Sequence, residues 1–325
     1  MSETRLIVRR TGGPEVIETE TFDPGPVPAG QVRVRHRAVG LNFIDVYRRN
    51  GLYAVDLPAF TGTEAAGVIE AVGDGVTGLK AGDRVGYATG PLGACATVRD
   101  IDPELLIPLP DGVSEEVAAA SLLKGMTAAF LIEQCARVQA GQTVLVHAAA
   151  GGVGSILVQW LSARGVRVIA HAGSPEKAAR AKADGADLAL SLPFDQLAAA
   201  VREATDGRGV DVAFDGVGAA SWSASLASVA RRGLLVTYGN ASGPVPPFSP
   251  LELSKAGSIF VTRPTLFDYA TTREERLDLA GLLFDRILAG DVRIAIDQRF
   301  ALTDAAEAHR ALEARRTTGS TILTV

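Results

Sequence analysis

The chain has 325 residues, a length that suits two domains, and its 47% of hydrophobic residues excludes a disordered protein. No apolar run reaches the roughly 18 residues that a membrane span needs. A net charge of −5 and only 6% of aromatic residues argue against a nucleic-acid-binding surface. The start of the chain shows no secretory signal, and Cys95 and Cys135 are too few for a disulfide framework, so we expect a cytoplasmic protein.

The first hundred residues have the pattern of short strands and turns. Residues 32–38 alternate between apolar and polar side chains, which is typical of a half-buried strand. Residues 67–72, 82–86 and 94–98 are predicted to form further short strands. Because glycine and proline recur between these segments, the pattern favours a small, irregular β-barrel.

After Pro110 the pattern changes to alternating helices and strands. Ser114, followed by two glutamates, is typical of a helix start. Continuous apolar runs predict buried strands, and helices are predicted at 154–163 and 176–182. The predicted strands are residues 143–147, 166–170, 210–214, 234–238 and 258–262. Alternation over this length indicates a parallel, doubly wound sheet.

The last sixty residues begin with a helix, because Thr272 and Glu275 form the pattern of a capping box. A strand at 297–301, a helix at 303–316 and a strand at 321–325 follow. We therefore predict an α/β protein in which one domain is inserted into another. The predicted domains are a barrel-like domain of residues 1–123 and 265–325 and a dinucleotide-binding domain of residues 124–264.

A glycine cluster lies between the predicted strand 143–147 and the helix that follows it. Its form is A-x-G-x-x-G, in which Ala149 replaces the usual first glycine and Gly151, Gly152, Val153 and Gly154 follow. Gly151 would let the backbone approach a pyrophosphate, and Gly154 would let the helix pack closely on the strand. The helix N-terminus offers N–H groups and a partial positive charge to phosphates. A tight turn without a ligand is the alternative.

The end of the next strand indicates which dinucleotide binds. NAD sites usually carry an acidic residue there for the ribose hydroxyl, and this chain has none. Gly173 and Ser174 can instead approach a phosphate, and Lys177 can neutralise it. The alternative is that Ser174 only caps a helix and Lys177 is solvated. The pattern favours NADPH.

Ten short motifs in order resemble one family over essentially the whole chain. They are Gly12-Gly-Pro-Glu-Val16, Gly40-Leu-Asn42-Phe-Ile-Asp45-Val-Tyr47, Gly51-Leu-Tyr53, Gly62-Thr-Glu64-Ala-Ala-Gly67, Ala81-Gly-Asp-Arg-Val85, Leu123-Lys-Gly-Met-Thr127, His147-Ala-Ala-Ala-Gly-Gly-Val-Gly154, Asp215-Gly-Val-Gly218, Gly239-Asn-Ala-Ser242 and Val261-Thr-Arg-Pro264. The sequence resembles the zinc-free quinone oxidoreductase (zeta-crystallin-like) branch of the medium-chain dehydrogenase/reductase superfamily, and most of all its bacterial NADPH:quinone reductases. The resemblance implies a GroES-like barrel domain, a Rossmann domain and hydride transfer from NADPH to a quinone.

The resemblance also implies roles for single residues. Asn42 and Tyr47 match positions near the nicotinamide, and Tyr53 and Arg263 match positions that line the substrate cleft. Further cofactor contacts are implied for Thr127, Gly216, Gly239, Asn240 and Ser242, and a contact with the 2′-phosphate for Arg315. One position departs from the pattern of the bacterial enzymes, which have a tyrosine where this chain has Leu192. The alternatives are that the two tyrosines only pack and that Arg263 forms a structural or interface salt bridge.

No metal is expected. Zinc-dependent relatives carry cysteine near the position of Asn42 and histidine in the triplet that here reads Gly62-Thr63-Glu64. The 4 histidines lack the spacing of zinc ligands. Without a Lewis acid, alcohol oxidation loses its usual means of stabilising the alkoxide, whereas a quinone accepts a hydride readily.

Two other functions remain open at the level of the sequence. An alkenal or enoyl-thioester reductase would use Tyr53 to protonate the α-carbon. A crystallin-like structural or RNA-binding role is the second, which the acidic net charge of −5 disfavours. We also expect a homodimer, because residues 258–262 form an apolar run at the predicted edge of the sheet.

Overall fold

The computed structural model describes residues 2–325, and most of the predicted elements are present in it. The strands are β1 (Glu3–Val8), β2 (Ile17–Phe22), β3 (Val32–Leu41), β4 (Ala59–Phe60), β5 (Glu64–Val72), β6 (Arg84–Tyr87), β7 (Val98–Ile101), β8 (Ile107–Pro108), β9 (Thr143–Val146), β10 (Arg167–His171), β11 (Leu188–Leu190), β12 (Val210–Asp215), β13 (Val229–Thr237), β14 (Phe260–Thr262), β15 (Ile296–Ala301) and β16 (Ser320–Thr324). The helices are α1 (Phe43–Arg49), α2 (Glu115–Phe130), α3 (Gly152–Ala163), α4 (Pro175–Ala183), α5 (Phe194–Glu203), α6 (Trp222–Ser228), α7 (Pro250–Lys255), α8 (Leu266–Tyr269), α9 (Arg273–Leu288) and α10 (Ala305–Glu313).

The described residues divide into two compact units. The first contains residues 2–126, 270–288 and 294–325, and the second contains residues 127–269 and 289–293. Each unit has its own sheet and its own buried apolar cluster. This is an α/β fold in which one unit interrupts the other along the chain.

The first unit is built on a sheet with the strand order β15-β16-β3-β5-β6-β8, while β7 pairs with β3 and a small sheet β2-β1-β4 stands apart. Neighbours are antiparallel except β15 and β16. Register shifts after Arg33 and after His36 interrupt the pairing of β3 with β5, and such bulges bend and twist a strand. Apolar side chains such as Val34, Ile69 and Val85 fill the core, as the alternation along β3 predicts.

The second unit contains a six-stranded sheet in the order β11-β10-β9-β12-β13-β14, and every pair is parallel. This is the order of the doubly wound dinucleotide-binding fold, with β9 at the centre. Central strands are buried on both faces, which explains why they read as continuous apolar runs rather than as alternating ones. The carboxyl ends of β9, β10, β12 and β13 lie at one edge of the sheet.

Three segments differ from the sequence-based prediction. Residues 94–98 are not a strand: Ala96 forms an isolated bridge to Arg5, and the strand begins only at Val98. The edge strand at 258–262 is shorter than predicted, because Ser258 has a φ of 56° and the strand begins at Phe260. The helix at 303–316 is confined to Ala305–Glu313 and follows a 3-10 turn.

None of the helices in residues 2–325 is both long enough and apolar enough to cross a bilayer.

Candidate active site

The glycine-rich turn joins β9 to α3. Gly151 is the N-cap of α3 and has no side chain, so the N–H groups of the first turn, which includes Gly152 and Val153, are not capped by it. A Cβ on Gly154 would lie 2.3 Å from the carbonyl oxygen of Ala148, so only glycine fits there. The turn therefore has the two features that a dinucleotide pyrophosphate needs, a close helix–strand packing and accessible helix-terminal amides.

The loop after β10 carries the residues predicted to select the cofactor. Ser174 is the N-cap of α4, and its Oγ accepts a hydrogen bond from the Lys177 amide at 3.3 Å. A Cβ on Gly173 would have nothing within 4 Å, and this glycine is exposed. Ser174 is therefore a helix cap, as the simpler interpretation holds, and the helix start it caps faces open space at Gly173. A phosphate group fits beside such a terminus.

Two further loops at the same edge of the sheet pack against each other and share a backbone hydrogen bond. Gly216 follows β12, and Gly239, Asn240 and Ser242 follow β13. A Cβ on Gly239 would lie 2.3 Å from the Gly216 carbonyl oxygen, and the Ser242 amide donates to the Val217 carbonyl at 2.8 Å. The loops thus pack backbone against backbone, which only small residues allow.

The remaining predicted residues of the second unit lie on α2 and after β14. Thr127 is half-buried on α2. Arg263 directly follows β14, is exposed, and donates from Nη1 to the Pro264 carbonyl at 3.0 Å. Since β14 is parallel to its neighbour, Arg263 stands at the carboxyl edge of the sheet as well.

A buried polar network that the sequence analysis missed supports this edge. Asp215 Oδ1 accepts from the amides of Val217 and Gly218 at 2.8 and 3.2 Å. Ser225 Oγ donates to Asp215 Oδ2 at 2.6 Å and lies 2.9 Å from His147 Nε2. Because the Ser225 hydroxyl donates its proton to the carboxylate, its oxygen accepts a hydrogen bond from the Nε2–H group of His147. The other ring nitrogen of His147, Nδ1, has no hydrogen-bond partner among the described residues. The network holds the loop of Gly216 in place.

Asn42 stands at the start of α1 in the first unit. Its Nδ2 donates to Glu64 Oε2 at 2.8 Å, and its backbone amide donates to Asp45 Oδ2 at 2.9 Å. A Cβ on Gly40 would lie 2.3 Å from Glu64 Oε2, so this glycine makes the approach of the carboxylate possible. The amide of Asn42 is therefore fixed in one orientation, with Oδ1 as its acceptor end.

Glu64 and Lys124 form a buried ion pair beside Asn42. Their side chains are 0% and 7% exposed, and Nζ lies 3.1 Å from Oε2. The other carboxylate oxygen accepts from the Leu123 amide at 2.6 Å. Both residues belong to motifs quoted above, yet the sequence analysis gave neither a role. The signal was one acidic and one basic residue inside otherwise apolar segments, which is rare without a partner.

Tyr47 and Tyr53 contact each other at α1. Tyr47 lies on α1 and is 7% exposed, Tyr53 is half-buried, and their ring centroids are 5.2 Å apart in an edge-on arrangement. The Tyr53 amide donates to the Tyr47 carbonyl at 2.9 Å. The structure therefore brings Asn42, Tyr47 and Tyr53 together around one short helix.

Arg315 lies in the first unit and Lys177 in the second. Arg315 follows α10, is exposed, and has a left-handed φ of 57°. Lys177 is half-buried on the first turn of α4. Their joint contact with a 2′-phosphate stays a prediction.

Asp45 is a buried carboxyl at the start of α1. Besides the Asn42 amide, it accepts from Thr63 Oγ1 at 2.8 Å. Burial raises the pKa of Asp45 from 3.8 to about 6; Thr63, Arg48 and the Asn42 amide oppose this rise, and Glu64 adds to it. The folded protein therefore takes up this proton at a higher pH than the unfolded chain does. As a result, the stability contribution of Asp45 decreases as the pH rises from 3.8 to about 6.

Asp45→Asn should remove this titration. The stability of the wild type relative to the variant should fall by about 2–3 kcal/mol between about pH 4 and pH 7, as a shift of two pKa units implies. Urea unfolding of both proteins at several pH values measures this difference in the free energy of unfolding. The histidines titrate in both proteins, so their contribution cancels in the difference. A difference that is the same at every pH would contradict the assignment.

Among residues 2–325, no group of three or more His, Cys, Asp and Glu side chains could hold a metal ion. His36 Nδ1 lies 2.7 Å from the Ala96 carbonyl oxygen, and burial raises the pKa of the Cys95 thiol to about 12.

Metal independence itself stays a prediction. EDTA treatment should leave the rate and the Tm unchanged, and elemental analysis should find far less than one zinc per chain. Stoichiometric zinc that is lost together with activity would refute it.

Comparison with known proteins covers both units. Residues 28–132 match the alcohol dehydrogenase GroES-like domain, and residues 152–280 match the zinc-binding dehydrogenase domain. A quinone oxidoreductase of Pseudomonas aeruginosa is 51% identical over 313 residues, 96% of each chain. The crystal structure of Escherichia coli quinone oxidoreductase complexed with NADPH has a TM-score of 0.96 at 41% identity, and the match covers 99% of this chain and 100% of that one. A 2-haloacrylate reductase of a Burkholderia species is 39% identical over 98% of this chain and 97% of its own.

Proposed function

Because the chain belongs to the quinone oxidoreductases of the medium-chain dehydrogenase/reductase superfamily, we propose that it is a cytoplasmic NADPH:quinone oxidoreductase. The observation that carries the proposal is the 51% identity to a quinone oxidoreductase over 96% of both chains. The glycine-rich turn and the absence of an acidic residue at the end of β10 support NADPH as the cofactor.

The second unit would hold the cofactor. When bound, NADPH supplies a hydride from its nicotinamide ring. The amides at the start of α3 would bind the pyrophosphate, and Ser174 and Lys177 would bind the 2′-phosphate. The loops of Gly216 and Gly239 would form the wall along the sheet edge, held by the Asp215 network.

The first unit would orient the reacting groups. Glu64 Oε2 and the Gly40 carbonyl both accept from Asn42 Nδ2, at 2.8 and 3.4 Å, so the Oδ1 atom of Asn42 suits an N–H donor, such as a carboxamide, rather than a developing oxyanion. Donors to the reduced quinone oxygen would then be the hydroxyl groups of Tyr47 and Tyr53. The guanidinium of Arg263, a residue of the second unit, is the other candidate donor. Hydrogen bonds that strengthen as the oxygen gains charge lower the barrier.

A cofactor-oxidation screen tests the proposal. NADPH consumption should be rapid with ortho- or para-quinones, and Tyr53→Phe should lower kcat/KM for the quinone. Tyr269→Phe is the matched control, because Tyr269 stacks on Phe130 in the second unit with centroids 4.4 Å apart. If no quinone oxidises NADPH, the proposed function is wrong.

A second candidate is reduction of an activated carbon–carbon double bond, and the 39% identical 2-haloacrylate reductase favours considering it. Here Tyr53 would donate a proton to the α-carbon after hydride transfer. A 2-haloacrylate and a crotonyl thioester belong in the same screen. If the wild type reduced either compound and the Tyr53→Phe variant did not, reduction of an activated double bond would be the main activity.

We propose no role in nucleic-acid binding, given the net charge of −5. An A/U-rich RNA at physiological salt should not be retarded in a gel shift. A specific, saturable shift would restore the crystallin-like alternative.

A homodimer through β14 is also proposed. β14 pairs with β13 at one end of the sheet order, and Phe260 on it is 63% exposed. An unpaired edge with an exposed aromatic residue favours pairing with a second copy. Sedimentation at micromolar concentration should give a dimer, and Phe260→Asp should give a monomer. Leu288→Asp, at 51% exposure elsewhere in the chain, should remain dimeric. A monomeric wild type would contradict the proposal.

A further inference from the structure

An open pocket of 540 Å³ lies in the second unit, away from the residues assigned to the cofactor. Its polar and charged lining residues are Gln142, Arg202, Arg208, Asp211, Arg231 and Arg232. These residues precede or begin β9, β12 and β13, apart from Arg202 near the end of α5. Because the strands are parallel, the pocket lies at the amino edge of the sheet, and the glycine-rich turn lies at the carboxyl edge.

The charge of the pocket is strongly positive. Arg208 is the only one of its four arginines that forms an ion pair with a lining residue, with Asp211 at 2.6 Å. Arg202 donates to the carbonyls of residues 207, 208, 227 and 229 at 2.8 to 3.1 Å, so its charge is fixed in the wall of the pocket. Arg231 and Arg232 are exposed, and in the described part of the chain no ion pair or hydrogen bond engages either guanidinium. Three positive charges are therefore uncompensated by the lining.

The backbone that carries Arg231 and Arg232 is an irregularity built into the sheet. Val210 pairs with Val229, but two residues later Val212 already pairs with Leu234, so β13 carries extra residues at this point. Arg232 has a left-handed φ of 63°, and its amide donates to the Gly257 carbonyl at 2.9 Å. A Cβ on Gly233 would lie 2.9 Å from the Asp211 carbonyl oxygen.

An arginine is costly in a left-handed position, where glycine or asparagine would be accommodated more easily. Guanidinium groups bind phosphate oxygens in a bidentate way, and arginine is the residue best suited to such recognition. The pocket volume falls in the range of small-molecule sites and exceeds what one phosphate group fills. We propose that this pocket binds a small molecule carrying more than one phosphate charge, at a site separate from the dinucleotide site.

The test is calorimetric titration of the full-length protein with inorganic pyrophosphate and with ADP at constant ionic strength. One equivalent of NADP⁺ per chain is present throughout, so that the dinucleotide site is filled while little free NADP⁺ remains to compete at the proposed pocket. Saturable binding is expected, with a Kd below about 1 mM. Tighter binding of ADP would indicate a nucleotide, and equal binding would indicate recognition of the phosphates alone; both outcomes support the phosphate site.

The variant Arg231→Gln with Arg232→Asn should weaken binding at least tenfold, because it removes two charged donors. Asparagine tolerates the left-handed backbone at position 232, and Arg231→Gln alone provides a second measurement if the double variant is unstable. The control is Arg10→Gln with Arg37→Gln, which removes the same charge at exposed positions of the first unit. No saturable binding by the wild type, or an equal loss in the control, would overturn the proposal. Neither result bears on quinone reduction, which is measured separately.

Discussion

Replacing Lys124 by methionine should lower the free energy of unfolding by about 3–5 kcal/mol, the cost of leaving one member of a buried ion pair without its partner. Glu64 is 0% exposed and would keep its hydrogen bonds to Asn42 and Leu123 but lose the ammonium group of Lys124, which lies 3.1 Å from its Oε2. The midpoint of urea unfolding measures the effect. Because Glu64 orients Asn42, we also expect a lower kcat in the variant.

Removing both charges separates charge from packing. Glu64→Gln combined with Lys124→Met should recover part of the lost stability. The new side-chain oxygen can still accept from the Leu123 amide, and Asn42 must turn its amide so that Oδ1 accepts from the new NH2 group. Glu116→Gln is the control, because Glu116 pairs with Arg299 on the surface at 45% and 49% exposure, and it should change stability by less than about 1 kcal/mol. If Lys124→Met cost no more than the control, the buried pair would not be what stabilises this part of the first unit.

Lys177→Ala and Arg315→Asn should each reduce the preference for NADPH over NADH about tenfold or more by raising the KM for NADPH. A charged hydrogen bond contributes about 1.5–3 kcal/mol, and about 1.4 kcal/mol corresponds to a factor of ten. Asparagine is chosen at position 315 because the φ there is 57°. The wild type should prefer NADPH at least tenfold in kcat/KM, since the contact missing at Leu192 is of neutral strength, about 1 kcal/mol.

The controls for selectivity are Lys182→Ala and Arg316→Ala. Lys182 lies on α4 with Lys177 but donates to the Asp187 carbonyl at 2.7 Å, and Arg316 is the exposed neighbour of Arg315. Neither control should change the ratio of the two KM values. A wild type that uses both cofactors equally, or variants that weaken both alike, would show that Lys177 and Arg315 are ordinary surface cations.

Much of the second unit could be predicted because its signals are local. Continuous apolar runs such as that of β9 predict strands buried on both faces, and Gly154 marks the position where only glycine fits between the helix and the strand. The cap at Ser174 and the capping box of Thr272 and Glu275 likewise depend on neighbours within four residues. Such features are decided by sequence patterns over a few residues.

The tertiary structure decided what depends on distant residues. The edge strand is shortened where Ser258 takes a left-handed conformation, and of residues 94–98 only Val98 lies in a strand, although the whole segment has the pattern of one. Glu64 and Lys124 are 60 residues apart, and His147 and Ser225 are 78 apart, so no local pattern shows that each polar side chain is buried opposite its partner. A charged side chain can be buried only where the fold places an opposite charge and hydrogen-bond partners beside it. Which residues lie there is decided by the tertiary packing and not by the local sequence.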